Sequence, residues 1–193
     1  MTRKPVKPKS PSAQTRRFVL IAAGLRLLSQ GASAASLGTP AVAAAAGLTP
    51  AQFKAAFPHF NDYLVALLQR MADEVREETL QALKGLPADV TRIRKGITAY
   101  LDAMQQRPAL LELTETLRVM PQCQAITRTR LDNLQAVVSA ELKSAKVKYA
   151  AGLAHLGTAM LTETARAEYE ARRMLADFRN TLDFYFERPQ EIP

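Results

Sequence analysis

Thr39-Pro40-Ala41-Val42-Ala43-Ala44-Ala45-Ala46-Gly47-Leu48-Thr49-Pro50-Ala51-Gln52-Phe53-Lys54-Ala55-Ala56-Phe57-Pro58 is the stretch that decides the fold. It twice pairs a hydroxyl residue with a proline, the pattern of a helix N-cap followed by a first-turn proline. The first pair predicts a two-turn helix over Pro40–Ala46, stopped at Gly47 in the left-handed cap position. The second predicts a helix from Pro50 to Phe57, closed by Pro58. Two such short helices cross closely only through small side chains, which Ala43 and Ala46 supply. Leu48, Phe53 and Phe57 are the expected shared core. The pattern is that of a helix-turn-helix. The outward face of its second helix is then Gln52, Ala55 and Ala56, with Lys54 alongside, small and polar enough to enter a DNA major groove.

Upstream, Phe18, Ile21, Ala22, Leu25 and Leu28 recur at helical spacing and predict a helix over Thr15–Gln30, ended by Gly31. An Ala/Ser loop over Ala32–Gly38 follows. Residues 1–14 hold three prolines and four basic residues, and read as a disordered basic arm or a solubilising tail. Residues 1–61 carry eight Lys or Arg and no Asp or Glu. The first carboxylate is Asp62, and the remaining 18 basic residues are balanced by 18 acidic ones. The entire net charge of +8 therefore lies in the first third of the chain, which suggests a module that meets a polyanion. The expected boundaries are an arm over 1–14, a helix-turn-helix domain over 15–61 and a helical domain over 62–193.

Arg17 through Leu64 resembles the DNA-binding domain of TetR/AcrR-type transcriptional regulators. Those domains show an Arg-led first helix ending in Gly, an Ile-Ala-x-x-Ala-Gly-Val-Ser element, and a recognition helix ending in Phe. The matching element here is Val42-Ala43-Ala44-Ala45-Ala46-Gly47-Leu48-Thr49. The resemblance implies an all-α protein, with a three-helix DNA-binding domain followed by a helical ligand-binding and dimerisation domain. It also implies a ligand-responsive, cytoplasmic repressor that binds a palindromic operator in double-stranded DNA as a homodimer, with a small-molecule inducer. The DNA-facing candidates are Arg16, Arg17, Thr49, Gln52, Lys54, Ala55 and His59. Two positions depart from the family pattern. Lys54 stands where the family usually has Tyr, and Phe60 where it usually has Lys, which removes two common phosphate contacts.

From Asp62 onward helix follows helix. Leu64 to Leu80 predicts one long helix ending near Gly85, and Pro87 opens the next, with Ile93, Ile97, Tyr100, Leu101 and Met104 as its stripe. Leu110–Val119 and Gln122–Lys146 are the following helices. The last two are expected over Tyr149–Met160, rich in small residues, and over Ala167–Phe186. Family analogy pairs these two with their copies in a second subunit through Leu153, Leu156, Met160, Leu175, Phe178, Leu182 and Tyr185. The same stripe also fits a monomer core. Tyr63, Met71, Tyr100, Met104, Cys123 and Met160 are candidates to line an apolar ligand pocket, although core packing is the ordinary role of such residues. His155 is expected to be buried or at an interface.

Other classes find little support. One cysteine and two histidines suit neither a disulfide nor a metal cluster. No Gly-rich phosphate loop or nucleophile elbow points to an enzyme or a bound cofactor. No apolar run is long enough to span a membrane. One rival reading rests on Arg16-Arg17, the apolar run Phe18–Leu25 and Ala32-Ser33-Ala34, which together make the parts of a cleaved export signal. Under it the chain is an exported helical protein of unknown binding role. Arg26 interrupts the run, and the helix-turn-helix beyond Gly31 opposes the reading.

Overall fold

The computed structural model describes residues 12–187, so the arm expected over 1–14 lies almost wholly outside the described residues. Among the described residues the regular structure is helical: α1 (Ala13–Ser29), α2 (Thr39–Ala45), α3 (Pro50–Ala56), α4 (Phe60–Ala82), α5 (Val90–Gln105), α6 (Pro108–Thr116), α7 (Pro121–Ser144), α8 (Ala150–Ala171) and α9 (Ala176–Glu187), with a 3-10 turn over Ala34–Ser36. The chain divides into two compact units, 1–67 and 68–193. The boundary lies six residues beyond the expected one, because the start of α4 packs with the N-terminal helices.

In the N-terminal unit α1, α2 and α3 pack against one another. Ser12 caps α1, its hydroxyl accepting the Thr15 N–H at 3.1 Å, so the helix starts two residues earlier than expected. The buried face of α1 is Leu20, Ala23 and Gly24. The face expected from spacing was one position off: Phe18 is 72% exposed. Gly31 and Gly47, at φ +94° and +66°, end α1 and α2. In each case the following N–H reaches back five residues, Ala32 to Leu27 and Leu48 to Ala43. A residue with a Cβ pays a steric penalty at such φ, which is why glycine stands there. Thr39 does not act as the cap of α2. It is the first helical residue, Gly38 holds the cap position, and no side-chain cap is formed. The expected Ala/Ser loop instead contains the 3-10 turn, with Ala34 and Leu37 buried.

Four aromatic rings close this core. Tyr63 lies 5.2 Å from Phe53, 5.3 Å from Phe57 and 5.6 Å from Phe60, centroid to centroid. Its hydroxyl donates to the Leu20 carbonyl at 3.2 Å. Tyr63 is therefore a core residue of the N-terminal unit and not a pocket residue. Phe60, the residue that departs from the family pattern, packs on Phe53 at 6.0 Å. Burial of this apolar surface is the main driving force for the unit.

In the C-terminal unit α8 packs on α5, α6, α7 and α9. α5 starts at Val90 rather than Pro87, because the Asp89 carboxylate caps it by accepting the Arg92 N–H at 2.8 Å. The break expected between Met160 and Ala167 does not occur. α8 continues to Ala171 and ends at Arg172, in the left-handed region at φ 55°. Gly157 lets α9 approach: a Cβ there would stand 2.1 Å from Cζ of the buried Phe186. Gly157 thus serves a contact within the chain, whereas Ala151, Gly152 and Ala159 are exposed. Glu168, 3% exposed, accepts from Arg179 Nε at 2.7 Å and Nη2 at 2.8 Å, and from the Leu175 N–H at 3.0 Å. Arg179 also pairs with Asp102, joining α5, α8 and α9.

Candidate nucleic-acid interface

α3 is held at both ends. At its start the Thr49 hydroxyl accepts the Gln52 N–H at 3.2 Å, while Gln52 Oε1 accepts the Thr49 N–H at 2.8 Å. This reciprocal capping box satisfies two N–H groups that a helix N-terminus otherwise leaves open. At its end Arg17 Nη1 donates to the Ala56 carbonyl at 2.9 Å, with its guanidinium 4.1 Å above the Phe57 ring. Arg26, two and a half turns further along α1, donates in the same way to the Ala45 carbonyl at the end of α2. Two α1 arginines thus take up the last carbonyls of the two helix-turn-helix helices, groups that lack partners within their own helices. Both sit where the negative end of the helix dipole favours a cation.

These contacts engage several of the expected DNA-facing residues within the unit. Arg17 is exposed, and its Nη1 is engaged at the end of α3. Gln52 is half-buried and its amide oxygen is engaged in the capping box, so it is not free to pair bidentately with adenine in this state. Thr49 is a helix cap. Ala56, expected on the outward face, is 5% exposed, because the Phe53–Phe57 side of the helix turns inward. Lys54 and Ala55 are exposed, as expected, and Ala51 is exposed beside them. His59 is exposed just before α4, and Arg16 is half-buried on α1. Arg26 and the capping box were not foreseen. The Thr-x-x-Gln spacing was a readable signal for the box, whereas nothing in the sequence distinguished Arg26 from a solvated arginine. The charge on the described part of this unit up to Asn61 is wholly positive: Arg16, Arg17, Arg26 and Lys54.

The residues expected to line one ligand pocket are dispersed. Tyr100 borders a cavity of about 50 Å³ with Leu83, Ile93, Ile97, Val138 and Leu161. Met104 borders a different one of about 190 Å³ between α5, α6 and the end of α8. Met71 and Cys123 are buried. Cys123 is 1% exposed and burial pushes its thiol pKa up, the condition of an inert thiol. Met160 is half-buried.

The expected dimer residues also divide. Leu153 and Leu182 are 6% and 0% exposed within the single chain, and Tyr185 donates to the Leu153 carbonyl at 3.3 Å. These three serve the monomer core. Leu156 and Phe178 are 58% and 44% exposed, and Leu175 is half-buried. His155 is exposed, with Nδ1 3.1 Å from Gln135 Nε2, rather than buried.

No family model matches the sequence, and no curated protein matches it. Solved structures do match. A transcriptional regulator from Rhodococcus sp. Rha1 superposes with a TM-score of 0.73 at 16% identity, over 89% of this chain and 94% of that one. The regulatory protein TetR from Rhodobacter sphaeroides gives 0.68 at 20% identity, over 90% and 97%. The chain has the TetR-type regulator fold. A multidrug binding protein, EbrR, complexed with imidazole gives 0.70 at 16% identity, over 95% and 98%. Within the TetR-type fold, α2 and α3 are the helix-turn-helix. The apolar run of the export-signal reading lies in α1, which supplies Leu20 and Ala23 to the N-terminal core. Cleavage after Ala34 would remove that helix, so the export reading is not favoured. No helix among the described residues is long and apolar enough to cross a membrane.

Proposed function

We propose that this protein is a DNA-binding transcriptional regulator of the TetR type, a ligand-responsive repressor rather than an enzyme. The observation that carries the reading is α3. It is capped by Thr49 and Gln52 at one end and by Arg17 at the other, and it exposes Lys54, Ala55 and Ala51. It does so on a unit whose described charge up to Asn61 is wholly positive. Small side chains let such a helix enter the major groove, and basic ones supply the sequence-independent part of the affinity.

The same reading makes the protein a cytoplasmic homodimer. Leu156 and Phe178 are the expected dimer residues that remain available, and Met174 and Phe184 are also exposed. A twofold dimer offers two recognition helices to half-sites about 34–36 Å apart, which matches a palindromic operator. The solved structure described as a multidrug binding protein with imidazole supports a small-molecule effector here. Such a ligand acts by binding better to the form that does not fit DNA, which shifts the population away from the bound state.

A gel-shift assay with genomic fragments carrying the chain's own promoter region tests the reading. A discrete, competitor-resistant shift is expected. Lys54→Ala is expected to weaken it and to reduce the slope of log affinity against log salt by about 0.9. Binding that is equal on every fragment argues against a specific operator.

A further inference from the structure

The larger of the two cavities named above has a divided character. Its floor is apolar, formed by the buried Leu101, Met104 and Ala165, and the exposed Pro108, Arg172 and Arg173 stand at its rim. The volume is about 190 Å³. A cavity of roughly 150 Å³ is enough to hold benzene, so the space suits one ring or a short chain with a polar head.

The charge on the rim is available. Arg166 on α8 and Arg179 on α9 are each held by two carboxylates. Arg172 and Arg173 have no carboxylate partner among the described residues. Arg172 instead stacks over the Tyr169 ring, 5.3 Å from guanidinium carbon to centroid. Glu168 also borders the cavity, but both of its oxygens are taken up by Arg179 and the Leu175 N–H. The residues that line the cavity carry two positive charges, Arg172 and Arg173, against one negative charge, Glu168.

We propose that this cavity binds a small amphipathic carboxylate, with its hydrocarbon on the Leu101–Met104–Ala165 floor and its carboxylate at Arg172 and Arg173. Planar guanidinium groups suit a carboxylate, which can accept two parallel N–H bonds. An uncharged ligand of the same shape gains the floor but leaves the guanidinium groups unpaired. A cationic one is repelled. The proposal names the chemical class of the effector in the reading above, but the binding claim stands on the C-terminal unit alone.

Isothermal titration calorimetry on the full chain tests it, with benzoate and its uncharged isostere benzamide as probes at matched ionic strength. Saturable benzoate binding, at least tenfold tighter than benzamide, is expected. Two variants locate the site. Arg172→Gly removes one guanidinium while relieving the left-handed backbone at that residue, and Arg173→Gln removes the other. The double variant is expected to melt no lower than the parent and to bind benzoate at least tenfold more weakly, with benzamide unchanged. Three results overturn the proposal: no saturable benzoate heat up to about 50 mM, equal affinity for benzamide, or undiminished benzoate binding by the double variant. None of these depends on whether the protein binds DNA, and loss of the gel shift leaves the calorimetry interpretable.

Discussion

Replacing Arg17 by Gln separates two roles that an arginine at the head of a DNA-binding domain can play. In the structure its guanidinium donates to Ala56 O at 2.9 Å and covers the Phe57 ring at 4.1 Å. A hydrogen bond from a charged donor contributes about 1.5–3 kcal/mol. An exposed cation–π contact contributes about 0.5–1 kcal/mol. Arg17 is itself exposed, so water recovers part of both, and a net loss of about 1.5 kcal/mol is the reasonable expectation. For a chain of this size that lowers the melting temperature by roughly 3–6 °C. Circular dichroism at 222 nm follows the transition. DNA affinity, measured by fluorescence anisotropy on an operator fragment, should fall because α3 is held less firmly. Its salt slope should not change, since no phosphate contact is removed. A phosphate-binding Arg17 gives the opposite pair of results: unchanged stability and a slope reduced by about 0.9. That outcome would refute the positioning role.

Gly24→Ala places a Cβ 1.9 Å from the Tyr63 hydroxyl, which is fixed by the aromatic cluster, and is expected to cost about 2–3 kcal/mol in urea unfolding. A loss under about 0.5 kcal/mol means the cluster yields more easily than its packing indicates. Thr49→Ala removes the hydroxyl half of the capping box and is expected to cost about 1 kcal/mol, read as a lower thermal midpoint. The Tyr63 phenol, fully buried, loses its proton only well above its ordinary range. Between the unfolded value of about 10 and the higher folded one, the unfolded state binds fewer protons, so stability falls as pH rises, by about 1.4 kcal/mol per pH unit from this group. Below about pH 10 both states are protonated and the effect vanishes. Tyr63→Phe is expected to flatten this alkaline loss, measured as urea midpoints at pH 9 and 11. Parallel profiles for the two proteins would contradict the assignment.

Much of this was legible in local chemistry. The Gly31 and Gly47 stops, the Thr49-Pro50 start and the Phe53–Phe57 core are signalled by residues whose backbone preferences or size act within a few positions. The α8 terminus was illegible for the same reason inverted. Its left-handed stop falls on Arg172, so no glycine marks it, and the tertiary contacts of Glu168 and Arg179 fix the turn instead. The buried face of α1 was misread by one position because alanine and leucine are spread round the helix. Only docking against Tyr63 and Leu67 selects Leu20, Ala23 and Gly24 as the inner side. Phe60 shows a departure from family pattern turned to packing, which becomes visible only once its ring is seen against Phe53.

The sequence by itself determined the helical class, the paired short helices and the confinement of excess positive charge to the first third. Each follows from periodicity, caps and composition, which are properties of neighbours along the chain. The tertiary structure decided which arginines are structural and which are free, which apolar residues close the monomer core, and where a cavity opens beside unpaired guanidinium groups. Those outcomes depend on partners far apart in sequence, such as Arg17 with Ala56 or Asp102 with Arg179, and only folding brings them together.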